Sequence, residues 1–188
     1  MSSHPDSEDA SEWRLPWWLK FLDKTNATVT ALTAGFVLYT QSVGAAYFGA
    51  GATACLFSVK IVKKMVRQDR PLQRKGKKQK KTYGMPSTHS ATMTYYATYI
   101  LLASLYLPIH RTLPQSWITR IGPPLVVLPW ATVIALSRIW LGHHTLAQVS
   151  VGCTFGFVFA LSWFAMWTHG LNEQGLKLEH LWESYPWS

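Results

Sequence analysis

The chain has 188 residues, of which 48% are hydrophobic and 14% charged, with a formal net charge of +9. Soluble domains average about 25% charged residues, and here residues 25–59, 82–110 and 139–172 contain no Asp, Glu, Lys or Arg at all. Each tract is long enough to cross a bilayer. This excludes a soluble globular domain, a disordered tail and a disulfide-stapled secreted module, and predicts an integral membrane protein.

In chain order, residues 1–24 are expected to form a polar and interfacial N-terminal segment. The first twelve are acidic and polar, and the apolar tract that follows is too long for the core of a cleavable signal. Trp13–Leu22 mixes aromatics with Arg14 and Lys20 and is expected to lie flat on the membrane surface. The membrane domain is expected over residues 25–168. Its first uncharged stretch, Thr25–Val59, would reach about 52 Å as one helix, too long for one ordinary span. Two helices are therefore predicted, turning at Gln41-Ser42, with Gly44 close by. The second continues through Lys60, Lys63 and Lys64, whose long stems can snorkel, and stops before Pro71. A basic loop follows at 74–81, read first as a solvated juxtamembrane run. A third helix runs from about Ser87 to Leu107 and ends at Pro108. A fourth runs from about Trp117 to Trp140 with a kink at Pro129, and a fifth from His144 or Thr145 to about Thr168. Residues 169–188 are expected to form an amphipathic, peripheral tail. The predicted fold class is all-α, a polytopic transmembrane helix bundle of about five spans.

The placement of the basic residues argues against nucleic acid as a partner. Fifteen of the eighteen Lys and Arg are Arg14, Lys20, Lys24, Arg138 or lie between Lys60 and Lys81. That pattern reads as basic loops abutting apolar helices and facing anionic lipid or a phosphorylated substrate. Cys55 and Cys153 sit in apolar tracts with no His or Cys at ligand spacing, so neither a structural disulfide nor a zinc site is expected. Tryptophans near tract ends, among them Trp17, Trp18, Trp117, Trp140 and Trp167, fit an interfacial aromatic belt.

In this layout the end of helix two, the start of helix three, the end of helix four and the start of helix five share one face. Three polar segments meet there: Lys63-x6-Arg70-Pro71, Met85-Pro86-Ser87-Thr88-His89-Ser90, and Ser137-Arg138-x5-His144-Thr145-x2-Gln148. Singly, each has an ordinary explanation. The cations could be snorkelling anchors, Ser87 a helix N-cap and each His a satisfied polar residue. Together they place three cations, the free amide N–H groups at the start of helix three, and His89, His143 and His144 on one rim. Guanidinium forks match phosphate oxygens and Lys63 adds a point charge. Two histidines from different helices can divide the work of nucleophile and acid. The nine acids lie at positions 6–23, at Asp69 and from Glu173 onward, which leaves no carboxylate cluster to hold a divalent metal. No metal or other cofactor is therefore expected.

These segments resemble the three motifs of the type 2 phosphatidic acid phosphatase (PAP2) superfamily, Lys-x6-Arg-Pro, Pro-Ser-Gly-His and Ser-Arg-x5-His-x3-Asp. The resemblance covers roughly residues 25–168. It implies that Lys63, Arg70 and Arg138 bind phosphate oxygens and that Ser87 and the Thr88 amide add hydrogen bonds. It further implies that His144 attacks phosphorus to give a phosphohistidine, while His89 protonates the leaving oxygen and later activates water. Thr88 replaces the motif glycine, which matters little if its amide does the binding. Gln148 replaces the Asp that orients the nucleophilic imidazole. A Gln carbonyl can accept the Nδ1–H and fix the tautomer but supplies no charge. The stretches Tyr-Gly-Met-Pro-Ser-Thr-His-Ser and His-Thr-Leu-Ala-Gln-Val are similar to the dolichyldiphosphatase branch, and nearly as similar to plant and plastid lipid phosphate phosphatases.

The resemblance implies a membrane phosphatase acting on a lipid phosphate or diphosphate, with dolichyl diphosphate favoured. The second reading keeps the site and changes the substrate to phosphatidate or a sphingoid-base phosphate. A vanadate-loaded oxidoreductase of the haloperoxidase kind shares the anion pocket but is larger and soluble, and the five apolar spans argue against it. An inactive anionic-lipid-binding protein would treat Gln148 as decay, and Gln148→Asp would then restore activity. Expected partners are the lipid substrate and membrane lipids, with no obligate protein partner. Two signals for orientation disagree. Setting aside the three phosphate ligands, twelve basic residues on the site's face against Arg111, Arg120 and Lys177 on the other put the site in the cytosol. Dolichyldiphosphatases place theirs in the lumen of the endoplasmic reticulum, and the glycosylation sequon Asn26-Ala27-Thr28 lies on that face too.

Overall fold

The structure is a computed structural model that describes residues 25–71 and 82–183. The interfacial segment expected at Trp13–Leu22 and the basic loop at 74–81 lie outside the described residues. The described elements are helices: α1 (Thr25–Thr40), α2 (Val43–Val66), α3 (Thr88–Tyr106), α4 (Trp117–Trp140), α5 (Leu146–Met166) and α6 (Asn172–Glu183), the last two joined across a kink at His169-Gly170, where Gly170 takes φ 136°.

The chain breaks between α1 and α2 at Gln41-Ser42, as the sequence predicts. Gln41 takes a left-handed φ of 48° and Ser42 is extended as the N-cap of α2. α2 closes at Arg67, whose left-handed backbone (φ 52°, ψ 26°) returns its N–H to the Lys63 carbonyl. The Arg67 Nε also donates to the Lys64 carbonyl at 3.0 Å, so a cation covers carbonyls the helix itself leaves unpaired. α4 starts at the N-cap Ser116, whose Oγ accepts the Thr119 N–H. It then runs through Pro123 and Pro124 as well as Pro129.

α3 is the centre of the bundle, packed on α5, α4 and α2. Ala91, Met93, Tyr95, Tyr96, Ala97 and Tyr99 are all buried on it. Its contact with α5 is set by two glycines one turn apart. A Cβ at 152 would lie 2.7 Å from the Ser87 carbonyl oxygen, and one at 156 would overlap the Ala91 carbonyl. The spacing is Gly-x-x-x-Gly, the small-residue pattern that lets two backbones approach in a bilayer. Higher in the core, Phe48 of α2 packs on Tyr95, Tyr96 and Tyr99, and the Tyr95 hydroxyl donates to the Phe48 carbonyl at 2.9 Å.

Three stretches are long and apolar enough to cross a membrane: α2, α4, and Leu146–Glu179, which takes in α5 and the kink after it. The run Thr28–Thr40 in α1 is apolar but shorter. α3 has 19 uncharged residues, yet its Ser, Thr and Tyr content suits a helix surrounded by protein. The count of five spans is therefore approximate, while the transmembrane helix bundle stands. Leu32, Leu38, Leu125, Val126, Phe157 and Val158 point outward, an apolar belt that a soluble protein would not expose. Trp117 and Trp140 are exposed at the two ends of α4, as belt residues should be. Trp167 turns inward instead, with its ring 4.8 Å from that of Tyr47 and against Gly175. Cys55 and Cys153 are free thiols. On the rim opposite the clustered motifs, His110 Nε2 meets Glu179 Oε1 at 3.1 Å, tying α6 to the α3–α4 connection.

The α3–α5 contact yields a test. Gly156→Val should push α5 off the Ala91 backbone and destabilise the protein by about 1–3 kcal/mol, read as a lower Tm in detergent. Gly122→Ala, where nothing lies within 4 Å of the added Cβ, should leave Tm no lower.

Candidate active site

Four chain segments converge at one rim of the bundle, and each arrives there for a local reason. After Arg67 closes α2, residues 68–70 run across the rim. Arg70 spreads its guanidinium over two other segments: Nε donates to the Thr82 carbonyl at 2.8 Å and Nη2 to Thr82 Oγ1 at 2.9 Å. Its Nη1 donates to the His143 carbonyl at 3.3 Å and lies 3.4 Å from His144 Nε2. Lys63, seven residues earlier, is only 8% exposed despite its charge.

The second segment is the start of α3. Ser87 is the N-cap by backbone geometry, but its side chain makes no capping bond. Its Oγ instead accepts from Ser90 Oγ at 2.9 Å, with both residues fully buried. Plain helix capping therefore does not account for this serine. The Ser87 N–H donates to the Gln148 carbonyl at 3.0 Å, which fastens the first turn of α3, with Thr88 and the half-buried His89, to the first turn of α5.

The third segment is the end of α4. Gly142 adopts φ 68°, and its N–H returns to the Ile139 carbonyl while the His143 N–H returns to that of Arg138. This is the paired hydrogen-bond pattern of a Schellman turn. It swings the chain so that the His144 N–H also reaches the Arg138 carbonyl at 3.2 Å. Arg138 is 1% exposed, and its Nε and Nη2 both donate to Ser137 Oγ, at 3.2 and 3.1 Å. That hydroxyl passes its own proton to the Ile134 carbonyl at 2.7 Å.

The fourth segment is the start of α5. Thr145 and Gln148 form a capping box: Thr145 Oγ1 accepts the Gln148 N–H and Gln148 Oε1 accepts the Thr145 N–H. Gln148 Oε1 also lies 3.3 Å from His144 Nδ1, while its Nε2 donates to Gln68 Oε1 at 3.1 Å and to the Asp69 carbonyl at 2.9 Å. A backbone donor on one side and a backbone acceptor on the other fix which end of this amide is oxygen. His144 Nδ1 must then carry the hydrogen, so Nε2 presents a lone pair beside Arg70.

Burial pushes the His144 imidazole down to about 3, and the charges of Arg70 and Lys63 push it the same way. The hydrogen bonds to Gln148 and to the Gly84 backbone oppose this and do not overcome it. The ring is a neutral base at physiological pH. The Arg70 guanidinium is itself lowered by burial. A bound oxyanion would offset the part of this depression that comes from Arg70 and Lys63, while the larger part from burial keeps the ring neutral.

The sequence-predicted residues thus lie at one rim. Arg70, His144, Gln148 and Ser87 are joined by direct hydrogen bonds, Lys63 acts on His144 through its charge, and Arg138 holds His144 through its carbonyl. Thr88 and His89 are carried by the first turn of α3. Among the described residues no three His, Cys, Asp or Glu side chains gather as a metal-holding group. Sequence reasoning missed Gln68 and Thr82, and it quoted Gly84 and Ser90 within motifs without giving either a role. Gly84 has a sharp role: a Cβ there would lie 2.7 Å from Gln148 Cδ and 2.8 Å from Oε1. Its N–H donates to the Gln68 carbonyl at 2.6 Å.

Comparison with known proteins agrees with the motif assignment. The PAP2 superfamily model matches residues 42–171, and the chain belongs to that family. It is 34% identical over 110 residues to dolichyldiphosphatase 1 of Rhinolophus ferrumequinum, covering 56% of this chain and 45% of that protein. It is 32% identical over 136 residues to lipid phosphate phosphatase gamma of Arabidopsis thaliana, covering 69% of this chain and 58% of that one. Human dolichyldiphosphatase 1 is 33% identical over 109 residues, 55% of this chain and 44% of the relative. The chain spans about half the length of the curated relatives it matches. Among solved structures it is similar to a transmembrane PAP2 type phosphatidylglycerolphosphate phosphatase from Bacillus subtilis, with a TM-score of 0.60 and 16% identity. That likeness covers 82% of this chain and 78% of the other and shows the fold.

The electrostatics predict a titration. His144 should stay neutral at pH 5, and Arg70→Gln should raise its titration point from about 3 toward the ordinary 6.5, read by histidine-selective NMR in micelles. Because the folded value is depressed, the stability contributed by the neutral ring is complete above 6.5 and lost as pH falls toward 3. Arg70→Gln should narrow that acid window.

Proposed function

We propose that this PAP2 superfamily member is a lipid phosphatase that cleaves a polyprenyl diphosphate, dolichyl diphosphate in the first instance, to the monophosphate. The observation that carries the reading is the neutral His144 ring, its Nδ1–H turned to Gln148 and its Nε2 lone pair 3.4 Å from a guanidinium. A nucleophile needs that lone pair, and a phosphoryl group needs the donors around it, Arg70 among them, whose bond to Nε2 gives way to the phosphate oxygens.

In the proposed reaction Lys63, Arg70 and Arg138, with Ser87 and the Thr88 amide, hold the oxygens of the outer phosphate. Nε2 of His144 forms a bond to phosphorus as the bond to the bridging oxygen breaks. His89 delivers the proton to that leaving oxygen. The phosphohistidine is then opened by water, whose proton returns to His89, and inorganic phosphate leaves with the His144 ring neutral again. Gln148 holds the tautomer throughout by accepting the Nδ1–H. The name of the two animal relatives and the His-Thr-x-x-Gln-Val segment support a dolichyl diphosphate substrate in the endoplasmic reticulum membrane. The Arabidopsis relative, named a lipid phosphate phosphatase and matched over a longer stretch of this chain, supports a lipid phosphate substrate, and phosphatidate or a sphingoid-base phosphate is the second reading.

Purified protein assayed without divalent metal should release phosphate from dolichyl diphosphate faster than from phosphatidate, and the reverse order would establish the second reading. His144→Ala should lower turnover by about 1,000-fold or more on either lipid, and undiminished turnover would overturn the mechanism. His89→Asn should let an acid-labile phosphoprotein accumulate. A site on the lumenal face, as in the dolichyldiphosphatases, predicts that residues 74–81 resist trypsin in sealed microsomes, and cleavage there would move the substrate to the cytosolic leaflet.

A further inference from the structure

The Gln148 amide does more than orient His144. Its carbonyl end serves the His144 Nδ1–H and the Thr145 N–H. Its two amide hydrogens go the other way, to Gln68 Oε1 at 3.1 Å and the Asp69 carbonyl at 2.9 Å. Those acceptors belong to the segment that immediately precedes Arg70. Gln68 is held a second time, since its own carbonyl accepts the Gly84 N–H at 2.6 Å. Gly84 also leaves the space in which the Gln148 side chain lies. One planar amide therefore bridges the imidazole to the strand of chain that presents the guanidinium.

We infer that Gln68 is a positioning residue, which acts through Gln148 to hold the Arg70 segment against His144. A carboxylate at 148 cannot replace this bridge. Aspartate is one methylene shorter and has no donor, so the Asp69 carbonyl would lose its partner and face a charged oxygen, and Gln68 could meet that carboxylate only by turning its amide round. The glutamine is thus matched to its partner segment rather than a weakened aspartate, and restoring aspartate should damage the site. This inference rests on the phosphatase reading for its kinetics, so a second measurement is needed that does not require turnover.

The test uses the full chain in detergent micelles, with kcat and KM measured on the lipid phosphate the wild type hydrolyses. Binding of inorganic phosphate is followed separately by thermal shift. Gln68→Ala should raise KM and weaken phosphate binding by about 3- to 10-fold, the scale of one lost hydrogen bond, with kcat changed less. Gln68→Met, which keeps the bulk but not the acceptor, should behave like Gln68→Ala. Gln148→Asp should lose about 10-fold or more in kcat/KM and weaken phosphate binding. Gln68→Ala added to Gln148→Ala should cost less than about 2-fold further, because the two act through one contact. Wild-type phosphate affinity in Gln68→Ala or Gln68→Met, fully additive losses, or a Gln148→Asp variant as active as wild type would each overturn the inference. Absence of turnover by the wild type would overturn the phosphatase reading instead, with the phosphate-binding measurements still deciding the role of Gln68.

Discussion

A neutral imidazole held beside buried cations is the arrangement on which the rest of this rim depends. Lys63, Arg70 and Arg138 bring positive charge to the edge of an apolar bundle, where ammonium and guanidinium groups lose most of their hydration. Burial keeps a proton off His144, and the charges of Arg70 and Lys63 work in the same direction. A bare imidazole in such surroundings could turn either nitrogen toward the cations. The Gln148 carbonyl removes the choice, because Thr145 and Asp69 fix the amide from both sides. The hydrogen on Nδ1 is therefore dictated by main-chain atoms one and two steps removed from the ring.

The helices supply that geometry through their ends rather than their lengths. The Schellman turn after α4 and the capping box before α5 lie within seven residues, Gly142 to Gln148, and between them they aim His143 and His144. The α3–α5 contact carries the Ser87–His89 turn to the same place. Its closeness comes from glycines at 152 and 156, which admit the α3 backbone where any side chain would hold it away. A membrane helix pair has no water to expel between its faces, so close approach and interhelical hydrogen bonds must supply the affinity.

Much of this was legible in the sequence. The α1–α2 break could be read because a 35-residue uncharged run is too long for one bilayer and Gln41-Ser42 was its most polar point. The bounds of α4 were marked by Trp117 and Trp140. The site was legible because cations and histidines clustered at four helix ends that a bundle must bring to one side. Other features carried signals that went unread. Thr145-x-x-Gln148 is a capping-box pattern, and Gly152-x-x-x-Gly156 a close-packing one. The contact of Gln148 with Gln68 and Asp69 carried no signal at all, since it joins residues 79 and 80 positions apart through loops without a periodic pattern. Trp167 misled for a related reason: a tryptophan near a tract end looks the same in sequence whether it faces headgroups or Tyr47.

The composition of α3 bears on how the chain enters its bilayer. Insertion machinery weighs each segment by its affinity for hydrocarbon, and α2, α4 and α5 satisfy that criterion where α3, rich in Ser, Thr and Tyr, does not. Within the bundle Tyr95 and Tyr96 bond to Phe48 and Thr33 of other helices, so α3 is held by protein more than by hydrocarbon. The turn bearing Ser87 and His89 therefore keeps its place only while the surrounding wall of helices is intact.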